Sequence, residues 1–183
     1  MRRLDAIRII GGRPLHGSVT VQGSKNAALP MMAAALLHEG TTVLHNCPRI
    51  ADVFYMEEIL RELGADTFWN GHSLYLDCSS INNVCVTQNY THKMRSSVIL
   101  LGALLGRKKR GMIGYPGGCV IGQRPVDLHL QVLRGLGARI QENEEEIYAD
   151  AKKMHGGSFS FPRKSVGATE QGMLAAGSIP AET

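Results

Sequence analysis

The sequence predicts an α/β (α+β) fold assembled from a repeated supersecondary unit, and three observations carry that reading. The segment LRELGAD at 60–66 recurs as LRGLGAR at 133–139, an offset of 73 residues. An Arg-x-x-Asp element precedes each copy, RIAD at 49–52 and RPVD at 124–127. Upstream of each lies a small-residue amphipathic segment, KNAALPMMAAALLHEG from 25 and MRSSVILLGALLGRKKRG from 94, and a third, SVGATEQGMLAAGS, begins at 165. Self-similarity near a period of 70 residues marks a duplicated unit, each copy too small to be a domain by itself.

Inside one unit the pattern predicts helix, strand, helix, strand, strand. Ala and Leu recur at helical spacing from Lys25 until Gly40, which reads as a helix stop. TTVLHN follows as a short strand, and a second helix starts near Asp52 and runs through EEILRELG to another glycine. ADTFWNGHSLYLDC alternates as a hairpin does, with its turn expected at Asn70-Gly71. ARIQENEEEIYADA is the equivalent hairpin of the second unit, and its acidic run from Glu142 to Glu146 reads as a solvated turn. At the amino terminus AIRIIGG and GSVTVQG read as two strands around Gly11, Gly12 and Pro14 that belong to neither copy.

Composition excludes several classes. With 44% hydrophobic and 20% charged residues, the chain has a globular rather than a disordered balance. The net charge of +4 would suit nucleic acid, but the cations are scattered and aromatics amount to only 5%, so an anionic small molecule fits better and no nucleic-acid partner is expected. VILLGALL at 98–105 is far too short to span a bilayer and MRRLDAIRII is not followed by a signal-cleavage pattern, so a cytoplasmic protein with no membrane partner is expected. Cys47, Cys78, Cys85 and Cys119 form no CxxC, and the seven histidines form no HExxH, which predicts free thiols and no metal site.

The stretch YPGGCVIGQRPVDLH at 115–129 is the exception to this ordinary pattern. Cys119 sits among glycines that preclude regular packing, with Arg124 near enough in sequence to favour a thiolate, so a reactive thiol is the functional reading against an inert loop cysteine. Lys25 and Asn26 open a helix, where a cation and an amide beside free N–H groups can hold an anion; a surface lysine followed by a capping asparagine is the plainer alternative. Arg124 has the fork geometry for phosphate or carboxylate, or else pairs with Asp127.

GSKNAALP at 23–30, MRSS at 94–97, PGGCVIGQRPVDLH at 116–129 and SVGAT at 165–169 occur in an order and spacing that resemble the UDP-N-acetylglucosamine 1-carboxyvinyltransferases, enolpyruvyl transferases of peptidoglycan synthesis. The resemblance runs along essentially the whole chain. It implies an inside-out α/β barrel of two similar domains, each of three βαβαββ units, with the active site between them. Residues 1–21 would then be initial strands that join the other domain. Residues 22–183 would be an incomplete domain with units at about 22–90 and 91–155 and a truncated third at 156–183.

The resemblance also assigns roles. Cys119 is implied as the general acid at C3 of phosphoenolpyruvate, Lys25, Asn26 and Arg124 as phosphoenolpyruvate contacts, and no organic cofactor or metal is implied. Arg95, the run Arg124, Pro125, Val126, Asp127 and Leu128, and the run Arg163, Lys164, Ser165 and Val166 are implied contacts of UDP-N-acetylglucosamine. Arg163 stands where the family commonly has lysine, and Lys164 fills a position that is often apolar. The expected function is thus the amino-terminal portion of such a transferase, inactive alone and self-associating through its cut edges. The shikimate-phosphate enolpyruvyl transferase is a weaker match, and a noncatalytic nucleotide-sugar-binding or interaction module is the alternative from another class.

Overall fold

In a computed structural model, the protein is described over residues 8–116 and 126–179. The first unit comprises α1 (Lys25–Ala35), β1 (Thr41–Leu44), α2 (Ala51–Glu62), β2 (Asp66–Asn70) and β3 (Ser73–Asp77). The second comprises β4 (Cys85–Val86), α3 (Gln88–Thr91), a 3-10 turn (Arg95–Ile99), α4 (Leu100–Lys108), β5 (Arg110–Gly114), α5 (Asp127–Gly135), β6 (Arg139–Glu142) and β7 (Glu146–Asp150). α6 (Val166–Ala176) opens the third. The two sheets repeat one topology. β1-β3-β2 is antiparallel throughout, and β5-β7-β6 repeats it with β4 added in parallel outside β5.

The repeat extends to individual hydrogen bonds. After α2 the Ala65 N–H donates to the Leu60 carbonyl (2.9 Å) and the Gly64 N–H to Arg61 (3.0 Å); after α5 the Ala138 N–H donates to Leu133 (2.9 Å) and the Gly137 N–H to Arg134 (2.9 Å). Both are Schellman stops that use the last carbonyls of the helix, and both demand a left-handed residue. Gly64 has φ +105° and Gly137 φ +85°, with a Cβ at either facing a backbone carbonyl at 2.7 Å (Ser80) or 2.5 Å (Lys153). The leucines that these stops turn inward, Leu60, Leu63, Leu133 and Leu136, are all buried.

Three details depart from the sequence reading. The pattern predicts neither β4 nor α3, and β4 pairs with the second sheet although it lies before residue 90. Asn70 pairs with Ser73, so the hairpin turn is Gly71-His72, with Gly71 at φ +57° in the first loop position. That position favours glycine in tight hairpins. Residues 8–23 form no strand, and Ile9, Ile10, Leu15, Val19 and Val21 are more than four-fifths exposed. Strand residues need a hydrogen-bonding neighbour, and among the described residues this segment has none in a sheet.

The sheets lie outside a core built on α1, α4 and α6, which pack on one another. Glycines permit the approach: a Cβ at Gly102 would stand 2.7 Å from the Gln171 carbonyl, and one at Gly106 would meet Leu37 at 2.7 Å and the Leu174 carbonyl at 3.2 Å. Gln171 is fully buried and satisfied, its amide nitrogen donating to the Val98 carbonyl (2.9 Å) and its oxygen accepting from the Gly102 N–H (3.3 Å). His129 on α5 completes this polar seam, nine-tenths buried against Gly167, and its Nδ1 has no hydrogen-bond partner among the described residues. Burial pushes the imidazole below its ordinary value; a side-chain interaction with Gln171 opposes it, and Arg95 (lowering) and Asp127 (raising) act more weakly.

Replacing Gly64 or Gly137 by alanine should destabilise the chain by roughly 1–3 kcal/mol through strain and carbonyl contact. Gly71→Ala, where a Cβ meets open space, should cost less. Urea midpoints decide this, and equal losses at all three positions would contradict it. For His129 the folded state binds its proton less readily than the unfolded chain, so its contribution is intact above the ordinary value of 6.5 and stability falls as pH drops below it. His129→Gln should therefore flatten the stability profile between about pH 7 and pH 5. Parallel profiles for the two proteins would refute the buried neutral imidazole.

Candidate active site

α1, α5 and α6 begin with sequence-predicted site residues, and Arg95 opens the 3-10 turn ahead of α4. At α1 the entry is set by Gly23, where any Cβ would overlap the Asn46 carbonyl oxygen, and by Asn46 itself at φ +51°. Ser24 occupies the N-cap with an extended backbone, but its side chain accepts no capping hydrogen bond. The first N–H groups of α1 are therefore left without that internal partner, beside the exposed side chains of Lys25 and Asn26. That is the arrangement in which a helix N-terminus takes an anion. The Lys25 Nζ lies 3.6 Å from Asp52 Oδ1, both half-exposed, so the aspartate of the RIAD element orients the predicted phosphate contact.

The second half of the site forms where unit two meets unit three. Val126 and Leu128 are 4% and 5% exposed, so any ligand contact from them runs through the main chain while their side chains anchor α5. Asp127, between them, faces outward and accepts two hydrogen bonds from Arg163 Nη2, at 2.9 Å to each oxygen. Asp127 is thereby joined to a residue 36 positions on, while the alternative pairing of Asp127 with Arg124 rests on a residue outside the described ones. Arg163, Lys164, Ser165 and Val166 line a concavity of about 430 Å³ with Phe161, Thr169 and Glu170. Ser165 Oγ caps α6 by accepting from the Ala168 N–H (3.3 Å), which leaves Arg163 and Lys164 as the cations at this helix start.

Arg95 is half-buried in the 3-10 turn and acts electrostatically on His129. The structure thus gathers the run from Arg163 to Val166 around one concavity and ties Asp127 to it through Arg163, with Arg95 acting on His129, while Lys25 and Asn26 stand at the separate entry of α1. Cys119, Arg124 and Pro125 lie outside the described residues, within the connection from β5 to α5. His129 was within the quoted motif but unweighed; a histidine two residues after the aspartate on an otherwise apolar helix face was its only signal. Among the described residues no group of three or more His, Cys, Asp or Glu side chains could hold a metal ion, and no helix is long and apolar enough to cross a membrane.

Comparison with known proteins finds similarity along nearly the whole chain. The chain is 43% identical over 173 residues to UDP-N-acetylglucosamine 1-carboxyvinyltransferase 2 of Caldanaerobacter subterraneus, covering 94% of this chain and 42% of that protein. It is 42% identical to the enzyme of the same name from Rhodospirillum centenum, covering 98% of this chain and 44% of the relative. The chain therefore spans less than half the length of these relatives. Among solved structures, the enolpyruvyl transferase NikO from Streptomyces tendae superposes with a TM-score of 0.72 at 20% identity, covering 91% of this chain and 39% of that one. EPSP synthase from Acinetobacter baumannii gives 0.63 at 18% identity over 87% of this chain and 38% of its own length, and at these identities both likenesses speak to fold alone. A sequence model for EPSP synthase (3-phosphoshikimate 1-carboxyvinyltransferase) matches residues 9–183, and with the relatives it shows that the chain belongs to the enolpyruvyl transferase family.

Proposed function

We propose that this chain carries the acid and the substrate-gripping cations of a UDP-N-acetylglucosamine 1-carboxyvinyltransferase, which moves the enolpyruvyl group of phosphoenolpyruvate to the 3-hydroxyl of the sugar nucleotide in peptidoglycan synthesis. The observation that most supports it is the concavity lined by Arg163, Lys164, Ser165 and Val166, with Asp127 paired to Arg163 beside it, because these are the residues that the resemblance assigns to the nucleotide sugar. A diphosphate suits a guanidinium and an ammonium side by side at a helix start. Phosphoenolpyruvate belongs to Lys25 and Asn26 at the uncapped α1 entry, with Arg124 as a further cation.

The reaction needs both ends of this arrangement. A proton goes to C3 of phosphoenolpyruvate as the sugar hydroxyl attacks C2, and a base takes the hydroxyl proton. The resulting tetrahedral ketal then loses a C3 proton and expels phosphate. Cys119 is the acid in this reading, and Lys25 and Arg124 stabilise the charge that grows on carboxylate and phosphate. The base, an aspartate by the family's pattern, comes from outside this chain.

Cys119 should be the first thiol to react. Burial raises the other three: Cys78 to about 11, with Asp77 adding to the effect, and Cys47 and Cys85 in the same direction. Thiolates are the reactive species, so partial alkylation at neutral pH followed by peptide mapping should find Cys119 labelled well ahead. Labelling of Cys47, Cys78 or Cys85 first would remove the thiol argument. For turnover, phosphate release from phosphoenolpyruvate and UDP-N-acetylglucosamine should not exceed a Cys119→Ala control in the 183-residue chain. It should appear in a version extended to the relatives' length, since losing even one transition-state donor costs about 100-fold to 1,000-fold. Release by the short chain at a rate near the extended protein's would defeat the division of labour, and no release by the extended protein would defeat the assignment.

A further inference from the structure

The two sheets share one topology, so each is a control for the other. On the outward face of the first sheet the row Thr41–Asp77–Asp66 runs across three strands, and the next row is Val43–Tyr75–Phe68, with Phe68 stacked on Tyr75 at 4.3 Å between ring centroids. The corresponding rows of the second sheet are Arg110–Asp150–Arg139 and Met112–Tyr148–Gln141. Lys152 and Lys153 stand where the first unit has Ser79 and Ser80. Four cations therefore surround Asp150 at one end of the second sheet, and Arg139, Lys152 and Lys153 line a concavity of about 270 Å³ with Gln141, Tyr148 and Asp150.

The opposite end of the same face carries the hairpin tip. Glu144, Glu145 and Glu146 are exposed there, where the first unit has Gly71, His72 and Ser73. This tip is held rigidly. Asn143 Oδ1 accepts from the N–H groups of Glu145 (2.8 Å) and Glu146 (2.9 Å), while the Glu145 carbonyl accepts from Gln88 Nε2 and the Tyr115 N–H, both at 2.6 Å. Because the first unit builds the same sheet and hairpin without either charge cluster, the fold itself does not require them.

We infer that the outward face of the second sheet is a self-complementary docking surface for a second copy of this chain, the glutamate tip of each copy entering the Arg139–Lys152–Lys153 concavity of the other. Charge separated along one face is the pattern that a two-fold contact uses, since residue i meets j and j meets i across the axis. The half-buried Tyr148 and Met112 lie between the two charged ends, where the axis would pass. Strands of five residues span about 17 Å, and the face is three to four strands wide, so each copy buries a few hundred Å², short of the roughly 800 Å² per partner of a stable complex. The dimer is accordingly weak and electrostatic, and it weakens as salt shortens the screening length.

Sedimentation velocity on the 183-residue chain tests this at about 20 mM and about 300 mM salt, where the screening length falls severalfold. Concentration-dependent dimer is expected at low salt, with at least about tenfold weaker association at high salt. Arg139→Glu/Lys152→Glu/Lys153→Glu gives a copy acidic at both ends, and Glu144→Lys/Glu145→Lys/Glu146→Lys gives one basic at both ends. Each should be monomeric alone, and an equimolar mixture of the two should dimerise. Should the reversals impair folding, Lys152→Gln/Lys153→Gln, which leaves the backbone hydrogen bonds intact, must still weaken the wild-type dimer. A wild-type monomer throughout the low-salt series overturns the inference. So does a mixture that stays monomeric, or association that is lost on deleting residues 1–21 and untouched by the charge changes.

Discussion

The near-contact of α4 with α6 at Gly102 is the constraint on which the rest of this structure depends. Where a Cβ would stand 2.7 Å from the Gln171 carbonyl, only hydrogen fits, and the two helices close to backbone distance. That proximity lets the buried Gln171 amide bond both the Val98 carbonyl and the Gly102 N–H, so a polar group at zero exposure is satisfied instead of stranded. With α6 held there, its leading residues arrive beside α5. Asp127 can then take Arg163 in a two-point pair, and the concavity lined by Arg163, Lys164, Ser165 and Val166 follows from the helix packing.

Duplication explains why so much of the architecture is stated twice and why its differences are informative. The Schellman stops at Gly64 and Gly137 and the central strands β3 and β7 answer to the same mechanical need in each copy. Side chains not bound by that need have diverged. Glu57, nearly buried on α2, accepts from Arg61 (2.6 Å), Thr67 (2.7 Å) and Trp69 (3.0 Å), a local network that ties helix to hairpin in the first unit. In the second unit Arg134 instead reaches Glu142 at 2.7 Å on an exposed edge. The first unit thus orients Lys25 through Asp52, whereas the second uses its own Arg-x-x-Asp aspartate to hold the start of the third.

A common electrostatic logic joins the two halves of the site. α1 keeps its first N–H groups free of a side-chain cap and places Lys25 beside them, while α6 is capped by Ser165 and relies on the cations just before it. Both solutions concentrate positive potential at a helix start, one with backbone dipoles and one with side chains. His129, packed against Gly167 at the start of α6, is pushed toward its neutral form by burial, which disfavours a further charge in the seam.

By itself the sequence determined the period, the order of the main helices and hairpins and the chemical types of the candidate site residues. These are properties of local spacing: helical recurrence in α1 and α4, alternation in the hairpins, and glycines at 64 and 137 that only a left-handed stop requires. It also placed Lys25, Asn26 and the run from Arg163 to Val166 at helix starts, because caps and anion sites are read within one turn. The tertiary structure decided which of those residues meet. Arg163, not a neighbour in sequence, holds Asp127, since a guanidinium 36 residues away is brought in by glycine-mediated helix packing that no local pattern encodes. It likewise decided that 8–23 forms no strand, for a strand exists only where another backbone offers it hydrogen bonds, whatever its own alternation prescribes.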